Sequence, residues 1–149
     1  MTLAGHHHDQ IGPTARDIMT PGCHCVRADD TVLAAARRMV ELEVGALPIC
    51  GAGDRLEGML TDRDIVVKVV ARHRDPAEVR AGELAAGVPV VAQADDDVER
   101  VRQLMADHQV RRLPVVDRRK LVGLIAQADI ARLLEHRASG EVVEAISQE

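Results

Sequence analysis

The sequence predicts a mixed α/β (α+β) protein in which two β-α-β-β-α repeats pack sheet to sheet into one module. Three observations lead there. The first is an internal duplication: Ala28-Asp29-Asp30-Thr31-Val32 recurs as Ala94-Asp95-Asp96-Asp97-Val98, 66 positions further on. At that offset Met39 falls on Met105, Val44 on Val110, and Leu47-Pro48 on Leu113-Pro114. After a one-residue deletion, Leu56-Glu57-Gly58 falls on Leu121-Val122-Gly123 and Asp64-Ile65 on Asp129-Ile130, while upstream Ala15-Arg16-Asp17-Ile18 falls on Ala81-Gly82-Glu83-Leu84. The second is that each copy runs through the same succession of short apolar β-type stretches and helix-period segments. The third is size: a unit of about 60 residues buries a meagre core alone, so two of them should share one body.

In chain order, residues 1–13 read as a flexible tail, and His6, His7 and His8 are left out of the fold argument. Repeat 1 spans 14–73, a polar connection ending the run Arg72-His73-Arg74-Asp75-Pro76 occupies 74–79, repeat 2 spans 80–137, and 138–149 is a C-terminal tail or short helix. Each repeat opens on a β-type stretch, Cys25-Val26 or Val88 to Ala92, which leads to an acidic cluster. Asp29, Asp30 and Thr31, like Asp95 to Asp97, can cap a helix start and suit its positive dipole end. The helix that follows carries Val32, Ala36, Met39 and Val40 on one face, or Val98, Val101 and Met105 in the second copy. Two β-type runs come next: Ala46 to Cys50 and Leu56 to Leu60 across Gly51-Ala52-Gly53-Asp54, or Leu113 to Val116 and Leu121 to Ala126 across Asp117-Arg118-Arg119-Lys120. A second helix closes each repeat, Asp62 to Ala71 and Gln127 to Glu135.

Composition narrows the function classes. The 149 residues are 46% hydrophobic and 29% charged, a globular balance, and no apolar run approaches the roughly 20 residues of a membrane span. The opening residues lack the apolar stretch of a signal peptide, so a cytoplasmic protein is expected. There is no Phe, Tyr or Trp, hence no platform on which a nucleic-acid base could stack, and a net charge of −5 disfavours phosphate-backbone binding. The expectation is no nucleic acid and no membrane. No GxSxG, HExxH, Walker A or GxGxxG run is present, and His73, His108 and His136 read as surface residues near helix ends, so no catalytic set emerges and no enzyme is expected.

Three constellations remain. Gly58-Met59-Leu60-Thr61-Asp62-Arg63-Asp64-Ile65 lies at a strand–helix junction, where free backbone N–H groups suit a phosphate. Thr61 could donate to that phosphate and Asp64 could accept ribose hydroxyls; equally, Thr-x-x-Asp approximates a helix capping box. Repeat 2 keeps Asp129 but has Ala126 in place of the threonine, and an aspartate retained without its capping partner favours a role beyond capping. Val110-Arg111-Arg112-Leu113-Pro114 aligns with Val44-Gly45-Ala46-Leu47-Pro48; the arginines could neutralise a phosphate or could be a solvated surface pair, and Gly45 and Ala46 would leave room for a flat ligand. Cys25 and Cys50 align with Val91 and Val116. They could be two buried thiols, a disulfide, or, with Cys23, His24 and the N-terminal histidines, part of a metal site, although no recognised ligand spacing is present and no metal is expected.

The paired Gly-h-h-Thr-x-x-Asp and h-x-x-Leu-Pro-h-h elements resemble those of the tandem CBS-domain family, the Bateman modules, over about residues 14–137. Thr14-Ala15-Arg16-Asp17-Ile18-Met19, Gly45 to Cys50, Gly58 to Ile65 and His108-Gln109-Val110-Arg111-Arg112 are similar to stretches of its small stand-alone mycobacterial members. The resemblance implies clefts between the repeats that hold adenosine-containing ligands: AMP, ADP, ATP or S-adenosylmethionine, with no required cofactor. It implies that Asp64 holds the ribose and Thr61 the phosphate, with Val26, Ala46 and Leu47 near the base and Arg111 or Arg112 near phosphate. A second cleft would use Asp129, but Ala126 and Gln127 depart from the pattern there. A homodimer through helices is implied, as is a stand-alone regulatory or sensor role in a stress or hypoxia response. The alternative is a ligand-independent stress or interaction protein, whose working feature is its dimer surface or a Cys25–Cys50 redox pair.

Overall fold

The computed structural model describes residues 12–22, 24–85 and 89–147, from 139 onward for the backbone alone. Its elements follow the duplicated order. Helix α1 (Ala15–Ile18) and strand β1 (Thr20–Pro21) precede β2 (Val26–Arg27), α2 (Val32–Leu42), β3 (Ala46–Cys50), β4 (Leu56–Thr61) and α3 (Asp62–Ile65). A 3-10 turn at Ala81–Leu84 then leads to β5 (Ala92–Gln93), α4 (Val98–His108), β6 (Arg112–Asp117), β7 (Lys120–Ala126) and α5 (Gln127–Ser147). One sheet has the order β2-β3-β4, with β2 parallel and β4 antiparallel to β3; the other has the order β1-β7-β6-β5.

The two repeats build their long helices alike. Thr31 caps α2 by accepting from the Ala34 N–H at 3.1 Å, and Asp97 caps α4 by accepting from the Arg100 N–H at 2.8 Å. Both end on a residue in the left-handed region, Glu43 (φ 56°) and Gln109 (φ 53°). The inward stripe is Val32, Ala35 and Met39 in α2, and Val98, Val101 and Met105 in α4. Ala36 and Val40, expected on the inward face, are respectively half-buried and exposed.

The β3–β4 connection contains the 3-10 turn Ala52–Asp54, whereas β6 and β7 are joined by Arg118-Arg119 alone, both at positive φ (52° and 69°) as a type I′ hairpin turn requires. That shorter turn is the deletion in the alignment. The opening strand of repeat 2 is Ala92–Gln93, later than the stretch starting at Val88; residues 86–88 lie outside the described set. The closing helices also depart from expectation. After α3 the chain continues as a π-helical turn, Val66–Val70, where four β-branched valines resist regular α geometry. In repeat 2 the helix does not stop at Glu135 but runs to Ser147, through residues expected to be a tail or short helix.

Each compact unit takes its leading segment from the other half of the chain. One unit is Gly22–Pro89 with Val116–Leu121; the other joins the segment ending at Pro21 to Val90–Val115 and the chain from Val122. Ala15 is therefore buried among Ala92, Val101, Leu113 and Ile125, while Ala81 and Leu84 are buried among Val26, Leu47, Ile49 and Leu60. The exchange is reciprocal to the residue. The Ala15 N–H donates to the Asp96 carbonyl and the Arg16 N–H to the Ala94 carbonyl; 66 positions on, the Ala81 N–H donates to Asp30 and the Gly82 N–H to Ala28. Where each segment crosses its sheet there is a glycine. A Cβ on Gly123 would lie 2.7 Å from the Thr20 carbonyl oxygen, and one on Gly58 would lie 2.9 Å from the Ala85 Cβ. No polar or charged side chain is fully buried among the described residues, so both cores rest on aliphatic packing, about 1.5–3 kcal/mol per buried Leu, Ile or Val.

Candidate functional site

The strand–helix junction of repeat 1 is a closed capping box. The Thr61 Oγ1 accepts from the Asp64 N–H at 3.0 Å, and the Asp64 Oδ2 accepts from the Thr61 N–H at 2.9 Å. The box uses one carboxylate oxygen. The other, Oδ1, lies 3.4 Å from the Lys68 Nζ one turn along, and the Asp64 side chain keeps 25% of its surface exposed. Because Thr61 accepts through its oxygen, its hydroxyl proton remains a donor. Across the sheet Ala46 is the register partner of Thr61, and the preceding Gly45 carbonyl accepts from the Asp62 N–H at 2.9 Å. Two small residues therefore floor the junction.

Repeat 2 places different chemistry on the same backbone. The Asp129 Oδ2 accepts from the Ala126 N–H at 2.7 Å, so the aspartate caps its helix without any hydroxyl partner. This corrects the inference from its retention: half a capping box is reason enough for Asp129. Its Oδ1 is bonded to the Arg132 guanidinium, and only 11% of the side chain is exposed. Arg111 and Arg112 stand where repeat 1 has Gly45 and Ala46, Arg111 exposed and Arg112 half-buried, with the Arg111 carbonyl accepting from the Gln127 N–H. Thr61, Asp64, Val26, Ala46 and Leu47 belong to one compact unit, and Arg111, Arg112 and Asp129 to the other. Val26 and Leu47 are core residues with 1% and 2% of their surface exposed, so a base near them would meet backbone rather than side chain.

Cys25 and Cys50 are both thiols, the first half-buried and the second fully buried. The parallel pairing of Arg27 with Cys50 sets Cys25 two residues out of register with Cys50. Neighbouring strands at that offset hold Cα atoms about 8 Å apart, beyond the roughly 7 Å that a disulfide spans. Cys23 and His6, His7 and His8 lie outside the described residues, and among those described no three His, Cys, Asp or Glu side chains come together to hold a metal. No helix of the described residues is long and apolar enough to cross a membrane.

Two aspartate-capped strand–helix junctions, one per repeat on a duplicated β-α-β-β-α frame, are the framework of a CBS pair. The CBS domain pattern matches residues 15–71 and 81–136, and the chain belongs to the CBS-domain family. Among its relatives, hypoxic response protein 1 of Mycobacterium tuberculosis is 49% identical over 133 residues, covering 89% of this chain and 93% of that protein. A crystal structure of hypoxic response protein I with two coordinated zinc ions superposes with a TM-score of 0.75 at 50% identity, covering 80% of this chain and 97% of the other. CBSX2 in complex with AMP gives 0.74 at 27% identity, covering 85% and 99%. The CBS pair of MJ0100 in complex with 5′-methylthioadenosine and S-adenosylmethionine gives 0.71 at 25% identity, covering 83% and 97%.

Proposed function

We propose that this chain is a regulatory CBS pair, not an enzyme, which senses an adenosine-containing ligand at the Thr61–Asp64 junction. The reading rests above all on the contrast between the two junctions. At Asp64 one carboxylate oxygen caps the helix while the other is ion-paired to Lys68, and the side chain keeps 25% of its surface exposed beside the small residues Gly45 and Ala46. A ribose diol needs such an acceptor, and a phosphate would find the Thr61 hydroxyl and the Lys68 ammonium at the same helix start. At Asp129 the side chain keeps only 11% of its surface exposed and Arg112 replaces the small residue, so the second junction is the weaker site. Support comes from the related CBS pairs solved with AMP and with S-adenosylmethionine. The setting proposed is the cytoplasm, in a stress response like that implied by the name of the mycobacterial relative.

The exposed apolar surface favours a second property, a homodimer through helices. Val40 on α2 is 77% exposed and Val66 beyond α3 is 57% exposed, an unusual display for a protein built on aliphatic cores.

Thermal unfolding followed by calorimetry tests the ligand reading, with AMP, ADP, ATP and S-adenosylmethionine each scanned against the parent and Asp64→Asn. Asparagine retains an acceptor for the Thr61 N–H, so the variant keeps its cap while losing the charge. A ligand at 100 times its dissociation constant adds about 2.7 kcal/mol of stability to the parent, and the gain should vanish in the variant. An equal gain in both would remove Asp64 from the site, and no gain with any ligand would leave the interaction surface as the functional feature.

A further inference from the structure

Repeat 2 turns its β-hairpin on a pair of residues that the turn geometry disfavours. Arg118 and Arg119 join β6 to β7 with φ of 52° and 69°, two left-handed residues in succession where such turns take asparagine and glycine. Repeat 1 meets the same demand with Gly53 and Asp54, types that enter that region more readily. The arginines also stand in charged company. Lys120 forms an antiparallel bridge with Arg55, its counterpart in repeat 1, and the Leu56 N–H donates to the Arg119 carbonyl at 3.3 Å. Directly opposed residues of an antiparallel pair share a face, so two cations are set side by side. The whole contact lies within one compact unit, Gly22–Pro89 with Val116–Leu121.

Arg55, Arg118, Arg119 and Lys120 are all exposed, and among the described residues none of their side chains has a hydrogen-bond or ion-pair partner. The carboxylates adjoining them in the chain are engaged elsewhere. Asp54 is bonded to Arg27, Glu57 lies over Gly51 on the β3 side of β4, and the half-buried Asp117 already has a partner. A strained turn and an opposed like-charged pair both work against folding, and sequences keep such conflicts where a site requires them.

We propose that this hairpin tip docks a short acidic segment of a partner protein, with several carboxylates in succession. Guanidinium forks bind carboxylates in pairs, and an extended segment would present its carboxylates to cations on both hairpins. The segment is short because the chain as a whole carries a net charge of −5, which repels a long polyanion away from the tip. A nucleic acid would also find no aromatic ring on which to stack a base. The tip is at the opposite end of β4 from Thr61, so this surface stands independently of the ligand junction.

Backbone amide NMR with an oligoglutamate peptide tests the site, with oligoglutamine as the uncharged control. The glutamate peptide should shift the amides of 54–56 and 117–121, and the shifts should shrink as salt is raised. No shift at those positions would overturn the proposal. A stronger response to tripolyphosphate or to a single-stranded oligonucleotide at equal charge would overturn the class of partner. Arg118→Asn combined with Arg119→Gly supplies favoured turn residues while removing two charges. That double variant should melt a few degrees above the parent and bind the peptide about tenfold more weakly or worse. Unchanged binding, or no gain in melting temperature, would remove the conflict on which the site rests. Arg118→Lys combined with Arg119→Lys should keep the parent melting temperature and bind within a few-fold. Arg37→Gln removes an exposed charge on α2 and should leave binding as it is. A loss there equal to that at the tip would show a response to net charge alone and contradict the proposal.

Discussion

The two repeats hold the same backbone over different chemistry, and the difference separates what the fold demands from what a site demands. Both junctions keep the aspartate, since in each it accepts the N–H that opens a helix, from Thr61 in one case and Ala126 in the other. Only repeat 1 keeps the hydroxyl, the small residues and the more exposed carboxylate, 25% against 11%. Repeat 2 spends those positions on Arg111, Arg112 and the Asp129–Arg132 pair. The shared aspartate is therefore structural in both copies, and the asymmetry around it is where function is to be sought.

The strongest perturbations should treat the repeats alike. Leu60 and Ile125 occupy equivalent positions and are fully buried in their respective clusters. Leu60→Ala and Ile125→Ala should each cost about 2–5 kcal/mol in urea unfolding. If one were tolerated with less than about 1 kcal/mol, its core would not be the close-packed equivalent of the other.

The exchanged segments break the symmetry. Gly123→Ala would bring a Cβ to 2.7 Å from the Thr20 carbonyl oxygen, whereas Gly58→Ala meets a methyl at 2.9 Å. Overpacking of this kind costs about 1–3 kcal/mol, and the Gly123 variant should lie at the upper end, because its Cβ would meet both the Thr20 carbonyl oxygen and the Met19 side chain. Equal stability of the two variants would show that the segment crossing at Gly123 is not held as described.

The capping difference can be reversed by exchange. Thr61→Ala should lose about 1 kcal/mol, and Ala126→Thr should gain up to that amount by completing its box. No gain at position 126 would mean that the Asp129–Arg132 pair holds the helix start in a geometry the hydroxyl cannot join.

The smallest expected effect is a pH dependence. The Glu83 carboxyl accepts the Arg80 N–H and is bonded to Arg74, in that order of effect, which lowers its pKa. A lowered carboxyl stabilises the fold at and above its ordinary value of about 4.3, and the contribution is lost as pH falls through the folded-state value. The protection factor of the Arg80 amide against hydrogen exchange should fall over that acidic range and show no such step in Glu83→Gln. An identical acid response in that variant would place the titration elsewhere.

Most of the fold is legible in the sequence because the duplication supplies each element twice. The caps at Thr31 and Asp97, the strand pairs and the equivalence of Ala15–Ile18 with Ala81–Leu84 all follow from the repeat. The reciprocal docking of those leading segments does not, because aligning Ala15 with Ala81 says that they are alike and not which core buries each one. The two crossing glycines are its only local trace, and Gly58 and Gly123 stand out only once the crossing backbone is seen. The length of α5 was hidden by a weak apolar periodicity after Glu135. At the site, Thr61 and Asp64 were readable as a pair, but their division between capping and solvent is a matter of which oxygen faces which group. Val26 and Leu47 spend their side chains on the core, so a base beside them would meet their backbone.

The central claim is that the repeat 1 junction alone forms the strong ligand site. Titration calorimetry with AMP on the parent, Asp64→Asn and Asp129→Asn addresses it directly. The account predicts one tight site per chain, abolished by Asp64→Asn and left within a few-fold by Asp129→Asn. Two equal sites, or a loss of binding on changing Asp129 with Asp64 intact, would contradict it.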